Sequence, residues 1–173
     1  MTQNPMTITK TLASATGGPL IGFAVLPLAV SLLLAALAAC QFRGVRYGLG
    51  SKAPEPLSAK VCFRRIDCSG FVRWALWVAT KGAVLLPDGS YVQNDWCAAM
   101  GFKRTDYSNC TLHDGHVRLC FHKPNGHGGD SMGHVWICLN GKTLESFGGH
   151  GPGQRDFDHQ WFLDHVDDCY VLC

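Results

Sequence analysis

The sequence predicts an α+β domain in which a helix carrying a cysteine packs on an antiparallel sheet, preceded by a hydrophobic helical segment. Three observations predict it. Apolar residues recur at helical spacing from Cys68 onward. An Asn-Gly pair at residue 140 separates two runs that alternate like strands. Residues 11–42 contain no Asp, Glu, Lys or Arg, so the chain begins differently from the rest.

The uncharged segment comes first. Residues 18–39 form a mostly apolar stretch of about 22 residues, long enough to span a bilayer. Pro19 and Pro27 would bend it, which membrane helices tolerate better than soluble ones. The leading reading is a membrane anchor. Only Lys10 is positive before the stretch, whereas Arg43, Arg46 and Lys52 follow it. That bias keeps the following domain on the cytoplasmic side. An unprocessed anchor of this kind suits a membrane-associated or virion-associated protein. Second is an export signal: Leu37-Ala38-Ala39-Cys40 resembles a lipoprotein processing site, with Cys40 as the lipidated residue. A buried core helix is the third reading. On this basis residues 1–40 are a hydrophobic segment and residues 41–173 a folded domain, with roughly 130 residues to bury a core.

Residues 41–59, with three glycines and two prolines, read as a linker or loop. In residues 68–79, Phe71, Ala75 and Val78 fall on one stripe, with Val72, Leu76 and Ala79 beside it. Asp67 or Ser69 supplies a cap, and Gly82 marks the exit. Residues 86–90 read as a turn, 92–100 as a weaker helix and 117–121 as a strand. The glycine-rich loop at 123–133 lacks a terminal Gly-Lys-Ser/Thr, so it is no nucleotide cradle.

The clearest local structure is the hairpin. Asn140-Gly141 is the preferred two-residue turn between strands, and it sets the register. Leu139 should face Lys142, Cys138 Thr143, Ile137 Leu144 and Trp136 Glu145. Alternation then puts His134, Trp136, Cys138, Thr143 and Glu145 on one face, and Val135, Ile137, Leu139 and Leu144 on the oily other. Glu145 becomes the diagonal neighbour of His134, within side-chain reach.

These placements point to nucleophilic chemistry. A helix N-terminus and a nearby imidazole both favour a thiolate over a thiol. Cys68 has the first by sequence. His134 would supply the second and then protonate the leaving amine. Glu145 would hold the imidazole in orientation. Backbone N–H groups near Cys68 and Ser69 would face the developing oxyanion.

Asp67-Cys68-Ser69-Gly70-Phe71-Val72 and Gly133-His134-Val135 resemble the nucleophile and base motifs of the NlpC/P60 family of papain-like cysteine peptidases. The likeness runs from about residue 46 to 171. It implies a papain-like core and cleavage of bacterial cell-wall stem peptides, between D-glutamate and diaminopimelate. Glu145 falls where that family places its third polar residue. Tyr47-Gly48-Leu49-Gly50 is similar to the family's aromatic-glycine stretch, which implies Tyr47 over the active site, although the gap from Tyr47 to Cys68 is longer than the family's. A wall-degrading amidase (N-acetylmuramoyl-L-alanine type) or a phage lysin is an alternative, and a non-enzymatic envelope or virion scaffold another.

Other classes fit less well. A net charge of +2 with scattered basic residues argues against nucleic acid. No cofactor or metal is expected. The competing zinc reading gathers Cys110, His113, His116, Cys120, His122 and His127, at spacings that match no standard site. Nine cysteines leave at least one unpaired within the chain, as a free nucleophile requires.

Overall fold

Asn140 and Gly141 both adopt positive φ, 49° and 74°, as the tight hairpin turn requires. They join β5 (His134–Leu139) to β6 (Lys142–Phe147), with Leu139 opposite Lys142, Cys138 opposite Thr143 and Ile137 opposite Leu144. These three pairs are the ones the Asn-Gly turn predicts. Beyond them β6 turns its other edge to β7 (Gly151–Gly153), where Glu145 pairs with Gly153. The structure, a computed structural model, describes residues 25–129, 131–158 and 160–173.

The hairpin lies within a six-stranded antiparallel sheet of order β3-β8-β4-β5-β6-β7. Its other strands are β3 (Lys103–Arg104), β4 (Arg118–His122) and β8 (Asp168–Val171). The strand expected at 117–121 is β4, shifted by one residue. β7 and β8 are not legible in the sequence. Gly-Pro-Gly has no strand propensity of its own, and pairing with β6 makes it one.

Helix α2 (Cys68–Ala79) occupies the predicted residues, with Asp67 as N-cap accepting from the Gly70 amide at 2.7 Å. A helix forms there because the cap satisfies a first-turn donor and the apolar stripe has a sheet to cover. The weaker helix is α3 (Ser90–Ala99). Two short strands, β1 (Arg46–Tyr47) and β2 (Arg65–Ile66), pair in parallel just before α2. Gly70 lets that region close on the helix. A Cβ there would sit 2.9 Å from both the Ser51 carbonyl oxygen and Lys52 Cδ.

The two faces of the sheet bury different material. Val135, Ile137, Leu139 and Leu144 join Phe71, Val72, Ala75 and Leu76 of α2 in the larger core. The opposite face carries Cys120, Trp136, Cys138 and Cys169. It is covered by Phe157, by Phe162 of α4 (Gln160–His165), and by Cys110 of a 3-10 turn (Tyr107–Thr111).

The uncharged segment splits. Residues 18–24 lie outside the described residues. From residue 25 on, the chain belongs to the body of the domain. Helix α1 (Val30–Phe42) buries Leu33, Ala36, Leu37 and Cys40, at i, i+3, i+4 and i+7, against the larger core. The Leu26 amide donates to Leu172 O, and that of Ala29 to Ala79 O. At 13 residues α1 is about 20 Å long, short of the ~30 Å of a bilayer core. Among the described residues no helix is long and apolar enough to cross a membrane. The membrane-span expectation is thus corrected over α1. Its buried residues form a stripe spent on packing, as in the core-helix reading, while Leu34 and Phe42 stay exposed.

Cys40 is fully buried, and burial pushes its thiol up to about 12. Lipoprotein processing at Cys40 would remove Leu33, Ala36 and Leu37 from the core they seal. The expected division at residue 40 falls inside α1.

Candidate active site

Cys68 is the first residue of α2, where the four leading amides of a helix lack intrahelical acceptors. The surroundings lock this turn. Lys52 Nζ donates to both Asp67 oxygens, at 2.6 and 2.5 Å, and to Ser69 Oγ at 2.7 Å. Ser69 Oγ in turn donates to Asp67 Oδ1 at 3.1 Å. The Ser69 hydroxyl is therefore committed to the cap, and only its backbone amide is suited to an oxyanion. Lys52 balances the Asp67 carboxylate one residue from the thiol.

His134 opens β5, shares a cleft with Cys68 on one side and hydrogen-bonds Glu145 on the other. Its Nε2 lies 2.7 Å from Glu145 Oε2, which leaves Nδ1 for the thiol. Trp136 stacks along the imidazole at 5.7 Å, and Trp161 meets it edge-on at 5.8 Å. Burial alone would lower the imidazole's pKa. The hydrogen bonds to Cys68 and Glu145, with their charges, outweigh it and raise the value to about 9.

Glu145 is fully buried and all its bonds are charge-assisted or directed. Oε1 accepts from Thr143 Oγ1 at 2.7 Å and Arg155 Nε at 3.0 Å. Oε2 accepts from Arg155 Nη2 at 2.7 Å as well as facing His134. Burial would raise its carboxyl, but His134 and Arg155 hold it below the usual carboxylate range. The Arg155 guanidinium lies over the rings of Phe147 and Phe162, 4.3 and 4.5 Å from their centroids.

Tyr47 also reaches the site, despite the long gap that separates it from Cys68. Parallel pairing sets Tyr47 opposite Ile66, two residues before the cysteine. Its phenol is pushed up by burial and then by the charges of Cys68 and Asp67. Tyr47, Cys68, His134, Arg155 and Trp161 line one cleft of about 510 Å³. Exposed Leu49 and Met132 also line it. Gly133, at the end of the glycine-rich loop, forms part of its wall. That loop is tethered by Asp167, which accepts from the amides of Lys123 at 2.7 Å and His127 at 2.9 Å.

Sequence reasoning missed four of these contributors. Lys52, Arg155 and Trp161 lie in stretches with no periodicity to mark them. Ser146 carries no sequence signal of a role. Its hydroxyl donates to Ile66 O at 2.8 Å, fastening β6 to the strand that leads into Cys68. The zinc grouping is corrected. Cys110 and Cys120 do meet, but with Cys138 and Cys169. His116 faces Cys173 O, His122 faces His165 O and Asp167, and neither these nor His113 and His127 join a metal-binding group among the described residues.

No family model and no curated protein matches the sequence. Solved structures do resemble it. A Staphylococcus aureus protein described as similar to a lipoprotein of the NLP/P60 family is 21% identical, with a TM-score of 0.51 over 83% of this chain and 41% of its own. An NlpC/P60 family protein from Bacillus cereus is 17% identical, with a TM-score of 0.57 over 85% of this chain and 41% of its own. The chain thus spans about two fifths of the length of each. At such identities the likeness is one of backbone architecture: the chain has the fold of NlpC/P60 proteins, with mixed helices on an antiparallel sheet.

Proposed function

We propose that this chain is a cysteine hydrolase of peptidoglycan stem peptides, working through Cys68, His134 and Glu145. The observation that carries the reading is that Cys68 and His134 face one cleft, with His134 hydrogen-bonded behind to the buried Glu145 carboxylate. The Cys68 sulfur attacks the scissile carbonyl carbon. The amides of Cys68 and Ser69 at the helix start stabilise the oxyanion. His134, protonated near neutral pH, donates its proton to the departing amine and leaves a thioester on Cys68. It then takes a proton from water, which attacks the thioester and releases the acid. Glu145, held by Arg155 and Thr143, keeps the imidazole oriented and favours its cationic form. Tyr47 borders the thiol and positions substrate.

The NlpC/P60 fold and the motifs around Cys68 and His134 support peptidoglycan as substrate, with the bond between D-glutamate and diaminopimelate as target and the bacterial envelope or a virion as setting. The test is digestion of purified sacculi, read by mass spectrometry, with Cys68→Ala alongside. Fragments ending in D-glutamate are expected from the native protein, with a loss of about a thousandfold or more in the variant. Release between muramic acid and L-alanine would make the enzyme an amidase instead. Undiminished cleavage by Cys68→Ala, or none by the native chain, would sink the reading, the latter in favour of a scaffold.

A further inference from the structure

Behind the catalytic histidine, on the same face of the sheet, four thiols converge. Cys110 comes from the 3-10 turn, Cys120 from β4, Cys138 from β5 and Cys169 from β8. All four are buried. Cys120 Sγ lies 2.8 Å from Cys169, 3.3 Å from Cys110 and 3.8 Å from Cys138, and Cys110 lies 3.4 Å from Cys169. We propose that Cys110, Cys120, Cys138 and Cys169 bind one thiophilic divalent ion, zinc first among the candidates.

The number of sulfur atoms gathered favours an ion over a covalent bridge. Their separations all exceed the ~2.05 Å of a disulfide. Three of them, 3.3, 3.4 and 3.8 Å, approach the roughly 3.8 Å edge of a tetrahedron whose thiolates stand about 2.3 Å from the metal, and the 2.8 Å between Cys120 and Cys169 would have to open by about 1 Å. The sulfur atoms of Cys110, Cys120 and Cys169 lie within 4.8 Å of one another, and Cys138, 3.8 Å from Cys120, stands at the edge of that group as the fourth ligand. A single Cys120–Cys169 disulfide would leave the gathering of Cys110 and Cys138 unexplained, whereas one ion uses all four.

A second observation concerns charge. Arg118 precedes Cys120 by two residues on β4, opposite Cys138, and is 3% exposed. Its terminal nitrogens hold Asp114, while Nε is buried without a hydrogen-bond partner. Its charge reaches Cys110 and Cys169. Trp136, paired with Cys120 across the strands, likewise buries its Nε1 without a partner. Four neutral thiols call for no spare N–H donors. A metal–thiolate centre does: four thiols bind M²⁺ with release of four protons, leaving a net charge of −2 that attracts N–H donors, Arg118 itself being paired with Asp114. Thiolate sulfur also accepts N–H bonds. Soft thiolates select zinc over hard cations, and no electron is transferred in forming the site.

The centre would tie the irregular turn at Cys110 to three strands, one of which begins with His134. The inference rests on neither Cys68 nor hydrolysis. It is tested on the full-length chain, purified with thiol reductant and without chelator. Metal analysis by plasma mass spectrometry should find about one zinc per chain, and cobalt substitution should give a thiolate-to-metal charge-transfer band. Cys120→Ser should drop the content below about a tenth of an equivalent, whereas Cys62→Ser, at an exposed thiol outside the cluster, should keep it. If Cys120→Ser does not fold, titration of the native protein with an organomercurial decides, zinc being released in step with the buried thiols. Protein lacking stoichiometric metal overturns the proposal, whether its thiols are free or Cys120 and Cys169 are joined in a disulfide. So does metal retained by folded Cys120→Ser, or metal not released in step with the buried thiols.

Discussion

The two faces of the β5–β6 hairpin are built from the same dozen residues and obey different rules. On the α2 side, Val135, Ile137, Leu139 and Leu144 contact other hydrocarbons, and what matters is filled volume. On the other side, His134, Thr143 and Glu145 each have a named polar partner, and what matters is which atom meets which. Strand alternation makes this division possible, because neighbours in sequence point to opposite layers. One layer holds the hairpin in place, and the other carries the polar groups proposed for the chemistry.

Substitutions can break that division. Ile137→Ala should cost about 2–4 kcal/mol of stability by leaving a cavity, with turnover per folded molecule unchanged. Glu145→Gln should do the reverse, cutting turnover about a hundredfold, less than loss of Cys68 or His134, because the amide oxygen still accepts from Nε2. Urea denaturation and single-substrate kinetics on both variants check this. Equal losses of turnover would erase the distinction.

The pH dependence sharpens it. The His134 pKa stands at about 9 in the folded chain against an ordinary value of 6.5. Its protonated form therefore contributes stability fully below about 6.5, and that contribution is lost as pH rises through about 9. Glu145, held low, acts with opposite sign: its contribution is present above the ordinary carboxylate range and lost as pH falls through its depressed value. The urea midpoint should fall between pH 6.5 and 9 in the native chain and fall less in Glu145→Gln. A flat profile would remove the imidazolium from the His134–Glu145 pair.

The smallest effect is expected at the junction of the faces. Ser146→Ala should cost about 1–2 kcal/mol by leaving Ile66 O without its side-chain donor. It should also slow turnover severalfold, since Ile66 leads into Cys68. A stability loss with full activity would make Ser146 a packing residue only.

Much of the site was legible because its signals are local. Asp67 before an apolar stripe marks the helix start at Cys68. The Asn140-Gly141 turn sets the register and so brings Glu145 within reach of His134. Both follow from backbone sterics and side-chain period, which a few consecutive residues determine. Arg155 had no such signal, since a single cation in a glycine-rich stretch is placed only by the carboxylate it meets. The apolar stretch at residues 25–42 was misleading for a related reason. Composition shows that a segment avoids water, and only its packing shows whether protein or lipid replaces it. By itself, then, the sequence determined the cysteine helix, the hairpin and the His134–Glu145 pair. The tertiary structure alone decided that Cys68 meets His134 and that α1 joins the core. It also decided that four cysteines far apart in the chain share one pocket. Those meetings depend on burial of one element against another, which no local window of residues contains.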